Sequence, residues 1–315
     1  MTTASLKITQ AGPQVSLQDA GRFGLLRYGV PASGPMDRYA FAIANLALGN
    51  PSHATAIEIS LGGLTLGCTE GDVSFAIAGG SFQATLDRGP LSPWCVSTLR
   101  AGQTLEIRPG RWGSWCYLAF AGSLQCRPWL GSASTHGPSG FGGGVLTAGG
   151  SLTITDASLR PDLHRTIPCP VSARPRRTVR VVLGPQDRFF GDEVIHSFLT
   201  QPFRLSDAYD RMGVRLDGPP LLAKSALDIP SEPLSRGAVQ IAGDGVATVL
   251  LADHQTTGGY PKIATILADD LDGFVQLRSR SAVRFNAVSP EDAISVARMR
   301  HAGRVAYLSQ FKASS

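Results

Sequence analysis
The sequence predicts a mainly β protein. Three observations carry that expectation: 36 glycines and 21 prolines in 315 residues, apolar segments that recur at roughly 8–12-residue spacing between turn signals, and few stretches with helical periodicity. So many breakers do not suit a helical bundle, whereas they suit short strands joined by turns. An apolar fraction of 43% with 17% charged residues excludes wholesale disorder. The length corresponds to about two domains at ~150 residues each.

The elements follow in order. Leu6 to Ile8 and Val15 to Leu17 are short apolar pieces broken by Gly12-Pro13 and Gly21. Ser33-Gly34-Pro35 then opens a helix in which Met36, Tyr39, Ala40, Ile43, Ala44 and Ala47 share one face, and Gly49-Asn50-Pro51 closes it. From Ile57 to Ile107 the pattern is that of strands: Ile57-Glu58-Ile59, Leu64-Thr65-Leu66, Val73 to Ile77, Ala84 to Leu86 and Leu105 to Ile107. Trp115 to Ala121 is a further strand, and the glycine-rich stretch Gly131 to Gly150 reads as a long loop, mobile or functional. Pro161 to Pro175 has no periodicity and marks the domain boundary. Strands resume at Val179 to Leu183, Val214 to Leu216, Val239 to Ile241, Val246 to Leu251 and Val283 to Phe285, with a short helix around Asp192 to Leu199. Ser289 caps a final helix whose first turn holds Pro290, Glu291 and Asp292.

The net charge of +5 comes almost wholly from arginine, since only Lys7, Lys224, Lys262 and Lys312 are lysines. The arginines are scattered, and the one dense run, Arg174 to Arg180, sits among prolines; a nucleic-acid groove is not expected. Cys68, Cys95, Cys116, Cys126 and Cys169 form no C-x-x-C pair and read as reduced thiols. Met1 to Gln14 lacks the apolar core of a leader peptide, and no stretch of about 18 apolar residues occurs, so a cytoplasmic location away from membranes is expected.

Much familiar chemistry is missing. There is no P-loop, no strand–G-x-G-x-x-G–helix unit, no histidine spacing for zinc, no G-x-S-x-G elbow, and no Met-Lys-Met step to carry covalent biotin. No metal site is expected.

The densest polar segment is Asp253-His254-Gln255-Thr256-Thr257-Gly258-Gly259-Tyr260-Pro261-Lys262, which follows the apolar run Leu250-Leu251. The two glycines let backbone N–H groups come close to a ligand, and Lys262 follows a stiff Tyr-Pro step. Such a run suits carboxylate, phosphate or amide oxygens; a polar hairpin turn is the plain alternative. Asp210-Arg211 is a second constellation, for substrate orientation or as a loop ion pair of little worth. Ser231-Glu232-Pro233 is a third, a carboxylate fixed in extended backbone before proline, or simply a turn. Asp37 stands at a helix start, where it caps the helix or meets substrate. Glu58 interrupts an apolar strand; facing inward it needs a partner, with Arg38 a candidate, and facing outward it is ordinary alternation.

Together, Gln18 to Arg22, Gly29 to Asp37, Ala44 to Asn50, Glu58, Gly184-Pro185-Gln186-Asp187, Asp210 to Gly213, Ser231-Glu232-Pro233 and Gln255 to Lys262 resemble the carboxyltransferase subdomain A/B family. That family includes the C subunit of 5-oxoprolinase, KipA-type proteins (formerly the second subunit of allophanate hydrolase) and part of urea carboxylase. The resemblance implies two cyclophilin-like β-barrel subdomains with a few short helices, over 5–165 and 178–310, joined by a Pro/Arg-rich linker at 166–177. It implies a KipI-like B subunit and a LamB/YcsF-like A subunit as partners, with a small amide or lactam as substrate. The expected activity is ATP-dependent ring opening of 5-oxo-L-proline to L-glutamate by an assembled enzyme, the chain being inactive alone. The catalytic candidates are Lys262, Asp253 and Glu232. Substrate-binding candidates are Gln255, Thr256, Thr257, Gly258, Gly259, Tyr260, Asp210, Arg211 and Asp37. One alternative is a biotin-dependent carboxyltransferase acting on urea or a related amide, its biotin supplied by a partner; another is a non-enzymatic KipA-type regulator of a KipI-like inhibitor. Gly131-Ser132-Ala133-Ser134-Thr135 departs from the family's usual Gly-Ser-Arg-Ser-Thr.

Overall fold
A computed structural model describes residues 2–224 and 229–311. It is mainly β, as expected, with four α-helices among the described residues. The described residues within Met1–Arg22, Ser33–Arg174 and Val305–Ser315 form one compact unit, and those within Phe23–Ala32 and Pro175–Arg304 a second.

The first unit holds two sheets. One is seven-stranded, with Thr3–Ala11 and Leu64–Glu70 near its centre; the other is six-stranded, with Val73–Ala78 and Cys116–Phe120 at its centre. These two central strands are buried along their whole length. Their period of two divides them between two cores. Val73, Phe75, Ile77, Leu118 and Phe120 pack with Leu6, Ile8 and Leu66, whereas Ala76, Ala78, Tyr117 and Ala119 pack with Ala40, Ile43 and Ala44 of helix Arg38–Leu46. Alanine on the helix-facing side lets the helix lie close to the sheet. A strand covered on both faces reads as a near-continuous apolar run, and 73–77 stands so in the sequence with Ser74 its one polar residue.

The connector after Pro161 is docked rather than loose. Arg165–Thr166 pairs with Cys95–Leu99 at the sheet edge, and Ile167 and Ala173 are buried in the helix-side core. The glycine-rich loop is also pinned. Asp19 accepts hydrogen bonds from the hydroxyls of Ser132 and Ser134, both at 2.6 Å, and from the Ala133 N–H at 2.7 Å. The Arg22 guanidinium donates to the carbonyls of Trp129 and Ser134 and stacks 4.7 Å from the Trp129 ring. Burial by itself would raise the Asp19 pKa, but these donors bring it below the usual carboxylate value.

In the second unit seven strands close into a barrel, in the order Thr178–Leu183, Lys262–Ile266, Ala238–Ile241, Ala247–Leu250, Gly213–Asp217, Phe203–Tyr209 and Ala282–Ala287. Alternate residues Val179, Val181, Leu205, Val214, Leu216, Val239, Ile241, Val249 and Ala264 are buried. Phe198 of helix Asp192–Thr200 stacks on Phe285 at 4.5 Å. Helix Ala268–Val275 was not legible in the sequence, because Asp269, Asp270 and Asp272 interrupt its apolar face. Asp270 is held by Arg180 in a two-pronged ion pair at 2.6 and 2.8 Å, and Asp272 by Arg304 at 2.7 Å. The last helix, Pro290–Ser309, is capped as expected, the Asp292 N–H donating to Ser289 Oγ at 3.0 Å, but its 20 residues make it longer than the short helices expected.

All five cysteines are free thiols, and burial pushes Cys95 up to about 12. No helix among the described residues is long and apolar enough to cross a membrane.

Candidate functional site
The polar segment after the Ala247–Leu250 strand holds most of the residues singled out above. It begins at the barrel end with Asp253, which is buried, and Arg211 is buried with it. Arg211 Nε donates to Asp253 Oδ2 at 2.9 Å and its terminal nitrogen to Oδ1 at 3.0 Å, while the Asp253 N–H donates to the Arg211 carbonyl at 2.8 Å. A two-pronged pair of this kind fixes both side chains, so Asp253 and Arg211 form one rigid strut tying the Asp210–Gly213 turn to the polar segment. Asp210 makes that turn by accepting from the N–H groups of Met212 and Gly213 at 2.8 and 3.1 Å.

His254 follows, buried, its Nδ1 bonded to the Gln255 carbonyl at 2.6 Å. Burial lowers its pKa, so the ring is neutral near pH 7. The chain then turns outward. Thr257–Gly258 pairs with Glu232–Pro233 in a two-stranded ribbon, which carries Glu232 to the segment. The glycines serve close packing here: a Cβ on Gly258 would stand 3.0 Å from Gln240 Nε2, and one on Gly259 2.9 Å from the Ile229 carbonyl.

Lys262 opens the next barrel strand. Its side chain is 5% exposed, and Nζ donates to Glu232 Oε2 at 3.1 Å. Gln186 completes the group: it accepts from the Lys262 N–H at 2.9 Å and donates through Nε2 to the same Glu232 oxygen at 2.8 Å. The register explains how Lys262 reaches this place. Val239 stands opposite Ala264, but the next residue, Gln240, stands opposite Lys262, so Ile263 is an extra residue in the strand. Bulges of this kind re-aim side chains.

Outward-facing residues of the barrel line an open cleft of about 680 Å3. Gly213, Arg215, Gln240, Ala242, Thr248 and Leu250 alternate with the buried interior set, and Asp210, Gln255 and Tyr260 complete the rim. The structure therefore gathers most candidates of the second unit into three places: the Arg211–Asp253 strut, the Lys262–Glu232 pair and the cleft rim. Thr256 and Thr257 lie on the ribbon between them, where the Leu234 N–H donates to the Thr256 carbonyl at 3.0 Å.

Asp37 belongs to the first unit. It is fully buried and caps helix Arg38–Leu46, its Oδ1 accepting from the N–H groups of Tyr39 and Ala40. Glu58 faces inward, and its Oε2 accepts from the Met36 N–H and the Tyr117 hydroxyl, both at 2.7 Å. Residue-by-residue reading did not single out Gln186, Gln240 or His254 for a role of its own. A glutamine in mid-sequence carries no chemical signal, and only the pairing of distant strands shows what its amide bridges. Among the described residues no group of three or more His, Cys, Asp or Glu side chains is placed to hold a metal ion.

A β-rich domain whose barrel carries a polar cleft and a buried lysine paired with a half-exposed carboxylate is the class these features define. More particularly, the chain belongs to the carboxyltransferase domain family, subdomains A and B, whose model matches residues 28–287. It is 33% identical over 311 residues to the C subunit of 5-oxoprolinase from Haemophilus influenzae, covering 98% of this chain and 97% of that one. The solved structure of TTHA0988 matches with a TM-score of 0.80 at 33% identity; the alignment covers 90% of this chain but only 55% of that one. The urea carboxylase of Kluyveromyces lactis matches with a TM-score of 0.86 at 25% identity, over 98% of this chain and 29% of its own.

Proposed function
We propose that the chain is a subunit of an ATP-dependent 5-oxoprolinase, which opens the ring of 5-oxo-L-proline to L-glutamate. The observation that carries this reading is the Lys262–Glu232 pair, an ammonium with a 5% exposed side chain held 3.1 Å from a carboxylate of which 46% is exposed. The H. influenzae relative, named for its place in a 5-oxoprolinase, supports the substrate. That name also supports a multi-subunit enzyme; a cytoplasmic location, with a KipI-like protein and a LamB/YcsF-like protein as partners, is part of the proposal.

A lactam carbonyl is a poor electrophile. ATP supplies the activation: its γ-phosphoryl group passes to the lactam oxygen as ADP leaves. Water then adds at the carbonyl carbon and the C–N bond opens, the nitrogen taking a proton, which leaves an acyl phosphate; a second water attacks that group and releases inorganic phosphate and the free carboxylate. Lys262 offsets the negative charge at the lactam oxygen, the task for which a preorganised cation is most effective. Glu232 keeps Lys262 oriented, the Asp253–Arg211 strut fixes the turn beside the segment, and Gln255, Thr256, Thr257 and Tyr260 orient the substrate. No residue of this chain is assigned to the nucleotide.

The test is glutamate release from 5-oxoproline by this chain with the LamB/YcsF-like and KipI-like proteins of its own source, with and without ATP. Release that needs both the chain and ATP is expected; no release under any combination overturns the reading. The K. lactis urea carboxylase likeness favours one second reading, a carboxyltransferase that receives biotin from a partner. Calorimetric binding of free biotin without ATP-dependent glutamate release would select it.

A further inference from the structure
Gln186 occupies an unusual position in the Lys262–Glu232 pair. It is 2% exposed, and its backbone N–H donates to the Lys262 carbonyl at 3.2 Å, while its side-chain oxygen accepts from the Lys262 N–H at 2.9 Å. The amide is thus bolted to the backbone of the residue that carries the ammonium. Its other end donates to Glu232 Oε2 at 2.8 Å, the same oxygen that Lys262 Nζ reaches at 3.1 Å. A closed ring results: Lys262 backbone, Gln186 amide, Glu232 carboxylate, Lys262 ammonium.

The ring answers a physical problem. A carboxylate that is nearly half exposed gains little from a single ion pair and is free to swing into water. A second, buried donor on the same oxygen holds it. An amide does both jobs, whereas an ionised carboxylate at position 186 accepts but does not donate, and an aliphatic side chain does neither. With Oε2 taken twice, Glu232 Oε1 is the carboxylate oxygen with no hydrogen bond among the described residues. Lys262 Nζ keeps two of its three protons beyond the one given to Glu232. A donor and an acceptor therefore stand side by side at a fixed separation.

We infer that Gln186 is a positioning residue that sets Lys262 and Glu232 as a donor–acceptor pair matched to the cis-amide edge of a lactam. This rests on the functional reading above and deepens it. A lactam ring forces its C=O and N–H to the same side, so the oxygen meets Lys262 while the N–H meets Glu232 Oε1. An open-chain secondary amide places the two groups on opposite sides, and its cis form is strongly disfavoured. The site takes cyclic amides and rejects open-chain secondary ones.

The assembled enzyme tests this with three variants and two probes, 5-oxoproline and N-methyl-5-oxoproline, the latter lacking the lactam N–H. In the native enzyme the N-methyl compound inhibits at least tenfold more weakly than 5-oxoproline binds. In Gln186→Glu, whose side chain has the same shape, KM for 5-oxoproline rises about tenfold, kcat falls less, and the discrimination between the two probes shrinks toward one. Gln186→Leu behaves in the same way, and if it does not fold, the isosteric Gln186→Glu decides alone, a native melting temperature certifying its fold. Lys262→Ala separates the two levels. Turnover near native in Lys262→Ala overturns the site itself. Loss of turnover in Lys262→Ala, with unchanged KM and unchanged probe discrimination in folded Gln186→Glu, overturns the role of Gln186 alone.

Discussion
Lys262 stands directly across the barrel sheet from Gln240, because Ile263 is an extra residue in its strand. Gln240 lines the open cleft and donates to the Tyr260 carbonyl at 3.2 Å. The bulge thus puts the start of the strand, and the lysine on it, in register with the cleft-facing residues of its neighbour.

Replacing Lys262 by alanine removes the cation that the proposed chemistry needs. Turnover of the assembled enzyme should fall by more than tenfold, equivalent to at least about 1.4 kcal/mol of transition-state stabilisation. Steady-state glutamate release at saturating ATP measures it.

Asp253→Ala removes a two-pronged partner from a buried guanidinium. Breaking a buried pair from one side costs up to about 3–5 kcal/mol, whereas replacing both partners with apolar residues of similar size costs much less. Urea unfolding should show Asp253→Ala well below native stability and Arg211→Met/Asp253→Leu closer to it.

Acid sensitivity falls in two windows, one set by His254 and one by depressed carboxylates such as Asp270. Burial depresses His254 below its ordinary 6.5, so the unfolded chain binds more protons below that pH and stability declines as pH falls through that value toward the folded pKa. For Asp270, burial raises the pKa, but the hydrogen bonds from Arg180 and the charges of Arg176 and Arg180 outweigh it and leave the group depressed; its contribution is present above 3.8 and lost as pH falls through the lower folded pKa. Urea midpoints measured between pH 7.5 and 5 should therefore decline, and His254→Gln should flatten that decline without altering the steeper loss below pH 4.

Asp19→Ala removes the acceptor for two hydroxyls and an amide of the glycine-rich loop. Hydrogen exchange across residues 131–136 should accelerate at least tenfold while exchange in strand Val73–Ala78 stays native. Equal acceleration in both would show that the anchor supports the whole unit rather than the loop.

Composition, period and local caps determined a good deal of this protein: the β class, most barrel strands, the first helix, although the structure starts it at Arg38 with Asp37 as its cap, and the last helix from Ser289. Each of these is local. Caps, turns and alternation act within a few residues, so a single stretch of chain records them. The polar segment was also legible, as a concentration of polar groups beside two glycines, and the motif resemblance pointed to the same place.

The tertiary structure decided what those residues do. Arg211 and Asp253 are 42 positions apart, and Gln186 and Lys262 76 apart, so no spacing rule joins them. Helix Ala268–Val275 stayed hidden because its buried aspartates look like solvent-facing residues until Arg180 and Arg304 are folded against them. The bulge at Ile263 has no sequence signature either, since it is a property of two strands pairing. A buried charge is tolerable only where a partner meets it, and the partner comes from wherever the barrel closes.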